Sequence, residues 1–279
     1  CGYPPLEHCT LEEVEKLLAL SRAELYREVA VLAPDKRIVE LFQLKYDYHN
    51  AKLALKAKLT GEDVSRLVID CGRYDASALL RGERGMLSSR MGRAMAQAEK
   101  EAEGGDIRRA ELTLDRACFE EMSELAGATG NDFLIGYVAL QIDAIDLRTL
   151  VRAQRMGASD ELLSAALLPG GHIPAEQLKT ARGDRLAELT RGSALSAAGE
   201  LAAATLGGSG SLTAFERACD DALVRYLQRA RRTPFGPEVI VGYLSAKEAE
   251  FTAVRTILSG KLAGLSAEDI RARLRLSYL

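Results

Sequence analysis

The sequence predicts an all-α protein built from one helical unit written three times. The first observation is a gapless motif that ends on a glycine: Asp47 to Gly61, Asp143 to Gly157 and Glu250 to Gly264. In each copy a carboxylate stands fourteen residues before the glycine (Asp47, Asp143, Glu250) and a cation nine before it (Lys52, Arg148, Arg255). A small residue stands four before it (Ala57, Ala153, Gly260) and a long polar one three before it (Lys58, Gln154, Lys261). The second observation is composition: 47% hydrophobic residues but only 5% aromatic and no Trp, so the core must be Leu, Ala, Val and Ile, a palette rich in helix formers. The third is that no segment alternates polar and apolar residues in the manner of a strand.

In chain order, Leu11 to Leu32 carries apolar residues at 11, 14, 17, 18, 20, 25 and 29, close to a 3.6 period. The turn Ala33-Pro34-Asp35 ends it, because Pro34 lacks an N–H donor. The first motif helix follows. Ahead of the second motif helix, Leu114-Asp-Arg116-Ala-Cys118-Phe echoes Phe215-Glu-Arg217-Ala-Cys219-Asp ahead of the third. Turns at Thr129 to Asp132 and at Thr233 to Glu238, the latter with Pro234 and Pro237, again separate the two helices. Each unit therefore reads as a long antiparallel helical hairpin. Gly61, Gly157 and Gly264 read as left-handed residues terminating the long helices. A short acid-containing helix is expected after each: Glu62 to Leu67, Ser159 to Leu163 and Ser266 to Arg271, with Ser159 and Ser266 as N-caps. Loops at Leu80 to Gly85, Pro169 to Pro174 and Gly207 to Ser211 punctuate the chain, which suggests units over 1–80, 81–180 and 181–279. The motif glycines are 157 − 61 = 96 and 264 − 157 = 107 residues apart, and only 60 residues precede Gly61, so the first unit reads as about 36 residues short (96 − 60).

The motif charges invite two readings. Carboxylate and cation are five residues apart, so they diverge by about 140° around the helix and cannot pair with one another. Each needs a partner elsewhere, for which the corresponding group of a neighbouring unit is the natural candidate. The charges then either lock the register of packed helices or line a concavity that faces a partner. Eleven residues before the glycine stand Asn50, Asp146 and Ala253, so the third copy has a small apolar residue where the others have an amide or an acid. Arg225, Arg229 and Arg232 at helical spacing, with Arg231 beside them, form a basic face. It is either a solvated helix C-terminus or a docking patch for an acidic partner or lipid head groups.

Other chemistries find little support. His8, His49 and His172 stand far apart and make no helical metal-binding pair, and Asp220-Asp221 lacks the spacing of a magnesium-binding aspartate motif. The glycines at 207–210 follow no strand and bring no phosphate-loop lysine. No nucleophile, metal or cofactor is proposed. The net charge of −3 gives no electrostatic case for nucleic acid. Five cysteines (Cys1, Cys9, Cys71, Cys118, Cys219) without a CxxC spacing, and no signal peptide, read as reduced, mostly buried thiols of a cytosolic protein. The most continuous apolar stretch, Phe133 to Leu140, is far shorter than the roughly 18 residues of a membrane span. Contact with a membrane is thus expected only through another protein.

The stretch Leu41 to Lys58, the segments Gly236-Pro-Glu238 and Tyr243 to Glu250, and the tail Ile257 to Leu274 strongly resemble the C (or d) subunits of V/A-type rotary ATPases. Ile142 to Ala153 is similar to that family's second unit. The resemblance runs from about Leu11 to Leu279, and the loops between Gly82 and Gly105 and between Gly192 and Gly210 match least. It implies a funnel of three similar helical units around a pseudo-threefold axis. Such a funnel is a non-catalytic socket between the rotor-shaft subunits and the proteolipid ring of the membrane sector, cytoplasmic and peripheral to the membrane through the complex. Asp47, Asn50, Lys52, Asp143, Asp146, Arg148, Glu250 and Arg255 would then form inter-helix pairs or face those partners. The rival readings are a free-standing all-α interaction scaffold and, further off, an all-α enzyme with a metal held by Asp143, Asp146 and other acids.

Overall fold

Helix starts and stops follow local side-chain chemistry closely. The computed structural model describes residues 10–276, in which thirteen α-helices and two 3-10 turns, and no strand, are found. Helix α1 (Leu11–Leu32) opens on a capping box: Thr10 accepts from the Glu13 amide, and the Glu13 carboxylate takes back the Thr10 N–H. After Pro34, Asp35 caps α2 (Lys36–Thr60) by accepting from the Arg37 amide. Then come α3 (Ala76–Leu80), α4 (Ser89–Glu103), α5 (Ile107–Thr129) and α6 (Asp132–Met156), the last capped by Asn131. Four short helices, α7 (Asp160–Ala166), α8 (Ala175–Thr180), α9 (Arg185–Thr190) and α10 (Ser196–Leu206), lead to α11 (Leu212–Gln228) and α12 (Pro237–Leu262), and α13 (Ala267–Arg273) follows.

The pairs α1/α2, α5/α6 and α11/α12 are helical hairpins joined by the three expected turns. Gly61, Gly157 and Gly264 have φ of 69°, 63° and 73°, and each amide closes back on the helix it ends. Gly61 and Gly157 directly follow their helices, whereas Ala263 intervenes before Gly264.

Two expectations need correction. The regions 82–105 and 192–210 are not loops: they contain α4 and α10, which pack on α5 and α11. The buried face of α4 is Met91, Ala94, Met95, Ala98 and Ala102, spaced i, i+3, i+4, i+7 and i+11 among polar neighbours, a helical period that the sequence does carry. After Gly61 there is only a 3-10 turn, Ser65–Leu67, because Asp63 accepts from the Ser65 amide two residues on and tightens the chain before a helical turn can form. After Gly157 and Gly264, Ser159 and Ser266 cap true helices.

The three hairpins contact one another in a cycle. Helix α2 packs against α5, α6 against α11, and α12 returns to α1. Helix α6 is buried on two sides. Leu134, Val138 and Ile142 enter one hydrophobic core with α1, α2, α4, α5 and α12, while Ala144, Leu147, Leu150 and Val151 enter a second with α7 to α11. That double burial explains the apolar character of the second motif helix. Cys71, Cys118 and Cys219 are buried free thiols, and burial pushes each of them up, Cys118 to about 12; Cys1, Cys9 and His8 lie outside the described residues. No helix among the described residues is long and apolar enough to cross a membrane.

Candidate functional site

The motif carboxylates of the first two hairpins are clamps on their own return loops. Asp47 is 2% exposed. Its Oδ1 accepts from the amides of Arg73 at 2.9 Å and Tyr74 at 3.3 Å, and its Oδ2 accepts from Arg73 Nε at 2.7 Å. Burial pushes the Asp47 carboxyl up, and those donors offset the push in part. Arg73 continues to Glu121 of α5 at 3.1 Å, which also accepts from the Tyr48 hydroxyl, so the clamp ties α2, its loop and α5 together. Asp143 repeats the arrangement: its Oδ1 accepts from the Ile173 amide at 2.9 Å and its Oδ2 lies 2.9 Å from His172 Nδ1.

A glycine makes each clamp possible. A Cβ on Gly72 would stand 2.1 Å from Asp47 Oδ1, and one on Gly171 would stand 2.2 Å from Asp143 Oδ1. These glycines were missed in sequence because they stand 72 − 47 = 25 and 171 − 143 = 28 residues from their carboxylates, outside the gapless motif.

One turn further along, Asn50 and Asp146 hold the same loops. The Asn50 amide donates to the Ile69 carbonyl at 2.8 Å and accepts the Ile69 N–H at 3.1 Å. Asp146 accepts the Leu168 N–H at 2.9 Å. Burial, reinforced by the nearby Asp143, pushes the Asp146 carboxyl up to about 7.

The third hairpin departs from this pattern. Glu250 is on the surface and pairs with Lys247 of its own helix at 2.9 Å, not with another helix. The segment after α13 goes elsewhere: Arg275 pairs with Asp220 at 2.6 Å and the Leu276 amide donates to Asp221 at 3.1 Å. With the returning chain held on α11, Glu250 has no loop to clamp.

The motif cations do act across hairpins, though their partners are not the motif carboxylates. Lys52 pairs with Asp115 of α5, Arg148 with Asp220 of α11, and Arg255 with Glu15 of α1. In each case the cation reaches the first helix of the next hairpin, and the third reaches the first.

A cleft of about 820 Å³ lies among α2, α6, α11, α12 and the segment after α13. Lys45, Gln141 and Glu248 all line it. They occupy one motif position, since 61 − 45, 157 − 141 and 264 − 248 are all 16. Glu248 is the hub of this wall: it accepts from the hydroxyls of Tyr26 at 2.8 Å and Tyr46 at 2.6 Å, and lies 3.0 Å from Lys45 Nζ and 3.6 Å from Arg22 Nε. Burial pushes Glu248 up, but Lys45, the Tyr46 hydroxyl and Arg22 outweigh it and hold the carboxyl below its ordinary value. Burial lowers the Lys45 ammonium against the opposing pull of Glu248. Among the described residues no group of three His, Cys, Asp or Glu is placed to hold a metal.

The sequence has known relatives. The family model described as ATP synthase (C/AC39) subunit matches residues 5–273. The chain belongs to that family. It is 24% identical over 273 residues to the C subunit of the V-type sodium ATPase of Enterococcus hirae, an alignment covering 96% of this chain and 83% of the relative. To the C subunit of the A-type ATP synthase of Methanocaldococcus jannaschii it is 26% identical over 286 residues, covering 94% and 71%. To the C subunit of the V-type ATP synthase of Thermus thermophilus it is 26% identical over 269 residues, covering 91% and 79%. The chain is accordingly a subunit of a V/A-type rotary ATPase, a complex to which it is peripheral.

Proposed function

We propose that this protein is the non-catalytic socket of the rotor, joining the shaft subunits to the proteolipid ring so that torque passes between ATP chemistry and proton or sodium transport. The observation that carries the reading is the cycle of packing: each motif helix braces the first helix of the next hairpin, and the last braces the first. A closed cycle of long helices resists twisting better than an open stack, because no end is free to splay. The shared placement of Lys45, Gln141 and Glu248 on one cleft supports a funnel of three quasi-equivalent units, with boundaries near 80 and 180. In this reading the cleft receives the end of the shaft, and the assembly stands on the cytoplasmic side. The inter-hairpin pairs of Lys52, Arg148 and Arg255 serve stiffness, and the clamps of Asp47, Asn50, Asp143 and Asp146 hold the loops around the rim. Family membership supports the setting, and the occupied hydrogen-bond positions of the buried acids support a structural rather than catalytic role.

A pull-down of the tagged protein from detergent-solubilised membranes of its host, with mass spectrometry, tests the reading. Recovery of shaft and proteolipid subunits together is expected. Recovery of soluble proteins alone, without any ATPase component, would replace the socket by a free-standing scaffold.

A further inference from the structure

The basic face at Arg225 to Arg232 plays no part in the socket. Arg225, Arg231 and Arg232 are exposed and make no ion pair among the described residues, and Arg229 only lies over the Tyr226 ring at 4.9 Å. These arginines run up to the turn between α11 and α12, where Phe235 is 85% exposed.

The turns of the other two hairpins lie at the same end. Arg37 donates to the Ala128 carbonyl, joining the first turn to the second, and Asn131 donates to Glu238 at 2.9 Å, joining the second to the third. Helix α1 runs antiparallel to α12, since Glu15 meets Arg255 while Arg22 and Tyr26 meet Glu248. The end of α1 therefore stands beside the start of α12, bringing Val31 (82% exposed) and Leu32 (78%) to the neighbourhood of Val239. This end of a chain with net charge −3 thus carries four arginines and Lys36 around projecting apolar side chains. Its acids are partly engaged: Asp35 holds Arg37 and Glu238 holds Asn131, leaving Asp132 and Glu28 open.

We infer that the hairpin-turn end of the molecule binds the surface of an anionic lipid bilayer, the arginines meeting head-group phosphates and Phe235 entering between the head groups. A projecting aromatic flanked by Pro234 and Gly236 suits a yielding surface of head groups. An acidic protein partner would call for a groove to receive its side chains. Apolar insertion and unpaired cations together supply two signals, and two are what stable peripheral attachment takes. This contact adds to the attachment through another protein that the sequence leads one to expect, and it needs no spanning helix. This inference goes beyond the socket reading and does not depend on it.

The absence of Trp from the chain provides the probe. Phe235→Trp creates a single indole at the turn. On adding vesicles of phosphatidylglycerol and phosphatidylcholine in roughly 0.1 M salt, its emission should shift to the blue and the full chain should co-sediment. Pure phosphatidylcholine should do neither, and high salt should release the protein. In the same background, Arg231→Gln with Arg232→Gln should weaken binding about thirtyfold, with unchanged helicity and melting. Failure to bind anionic vesicles, or binding that the two glutamines do not weaken, overturns the inference. So does arginine-dependent capture of purified shaft or proteolipid subunits without vesicle binding, which would assign the patch to an acidic protein surface. Either failure, with ATPase subunits still recovered from membranes, leaves the socket reading standing.

Discussion

The first two hairpins bury their motif carboxylates and the third exposes its own, although all three stand at the same distance from the helix-ending glycine. Asp47 and Asp143 are 2% and 3% exposed, and each holds a returning loop by its backbone N–H groups, two at Asp47 and one at Asp143, whereas the Glu250 side chain is 52% exposed and, among the described residues, pairs with Lys247 of its own helix. The cations nine residues before the glycine behave alike in all three. The difference shows what a helical repeat preserves. A contact between packed helices depends only on helical register and recurs, while a contact between helix and loop depends on where the loop goes.

The largest effects should fall on the clamps. Gly171→Ala drives a methyl group into the Asp143 carboxylate, which cannot swing aside without giving up the Ile173 amide and His172, and Asp143→Lys places a cation where N–H donors converge. Each should cost about 3 kcal/mol or more, enough to abolish a cooperative urea transition at room temperature or shift it far down. Glu250→Lys should change stability by less than about 0.5 kcal/mol. Equal effects at Asp143 and Glu250 would erase the comparison.

Glu248 should come next. Removing it by Glu248→Ala leaves Lys45 and Arg22 facing one another and two tyrosine hydroxyls without their acceptor. A loss of about 2–4 kcal/mol is expected, larger than the loss from Lys45→Ala, because the lysine can be replaced by water in the cleft. Since folding holds the Glu248 carboxyl below its ordinary value, this stabilisation is present above about pH 4.5 and is lost as the pH falls below it. A wild-type acid limb that Glu248→Gln does not alter would show that the hub contributes nothing.

The contrast between clamps and cations also explains what could be read from sequence. Helix ends are legible because their causes are local: Pro34 and Pro237, the Ser159 and Ser266 caps, and the left-handed glycines. Lys52, Arg148 and Arg255 were legible as reaching out of their own helices, because five-residue spacing forbids pairing within the motif. Their acceptors were not, since Asp115, Asp220 and Glu15 come from helices whose mutual packing no local pattern reveals. Gly72 and Gly171 escaped notice because loops of unequal length break the alignment. Glu248 escaped because its motif position carries Lys45 and Gln141 in the other copies, so that complementarity, not similarity, marks the site. Helix α10 is hard to see in sequence because Ala198, Gly199, Ala202 and Thr205 supply its buried surface, whereas α4 shows a plain helical period at Met91, Ala94, Met95, Ala98 and Ala102.

Asn50 and Asp146 sharpen the comparison within the two clamped hairpins. Asn50 both donates to and accepts from Ile69, but an ionised Asp146 can only accept from Leu168 and sits near another carboxylate. Because folding raises the Asp146 carboxyl from 3.8 to about 7, its contribution is complete below pH 3.8 and falls as the pH rises through about 7. Asp146→Asn should therefore leave stability little changed at pH 3.5 and raise it by about 1–3 kcal/mol at pH 8, flattening the fall in stability between about pH 4 and 7. A variant less stable than wild type at both pH values would mean that the carboxylate is needed in its charged form.

The smallest effects belong to the cations that cross between hairpins. Arg255 and Glu15 are well exposed, and Lys52 and Asp115 partly so, which leaves each pair worth about 0.2–1 kcal/mol. Arg148 is more enclosed: Asp220 accepts from it while also holding Arg275, so Arg148→Ala should cost the most of the three, roughly 1–2 kcal/mol. If the pairs brace one closed cycle, the double variant Lys52→Ala with Arg255→Ala should exceed the sum of the single losses, although the two sites share no partner. Strict additivity in urea denaturation would mean that each pair acts alone, and that the cycle owes its stiffness to the apolar packing of α2 on α5, α6 on α11 and α12 on α1.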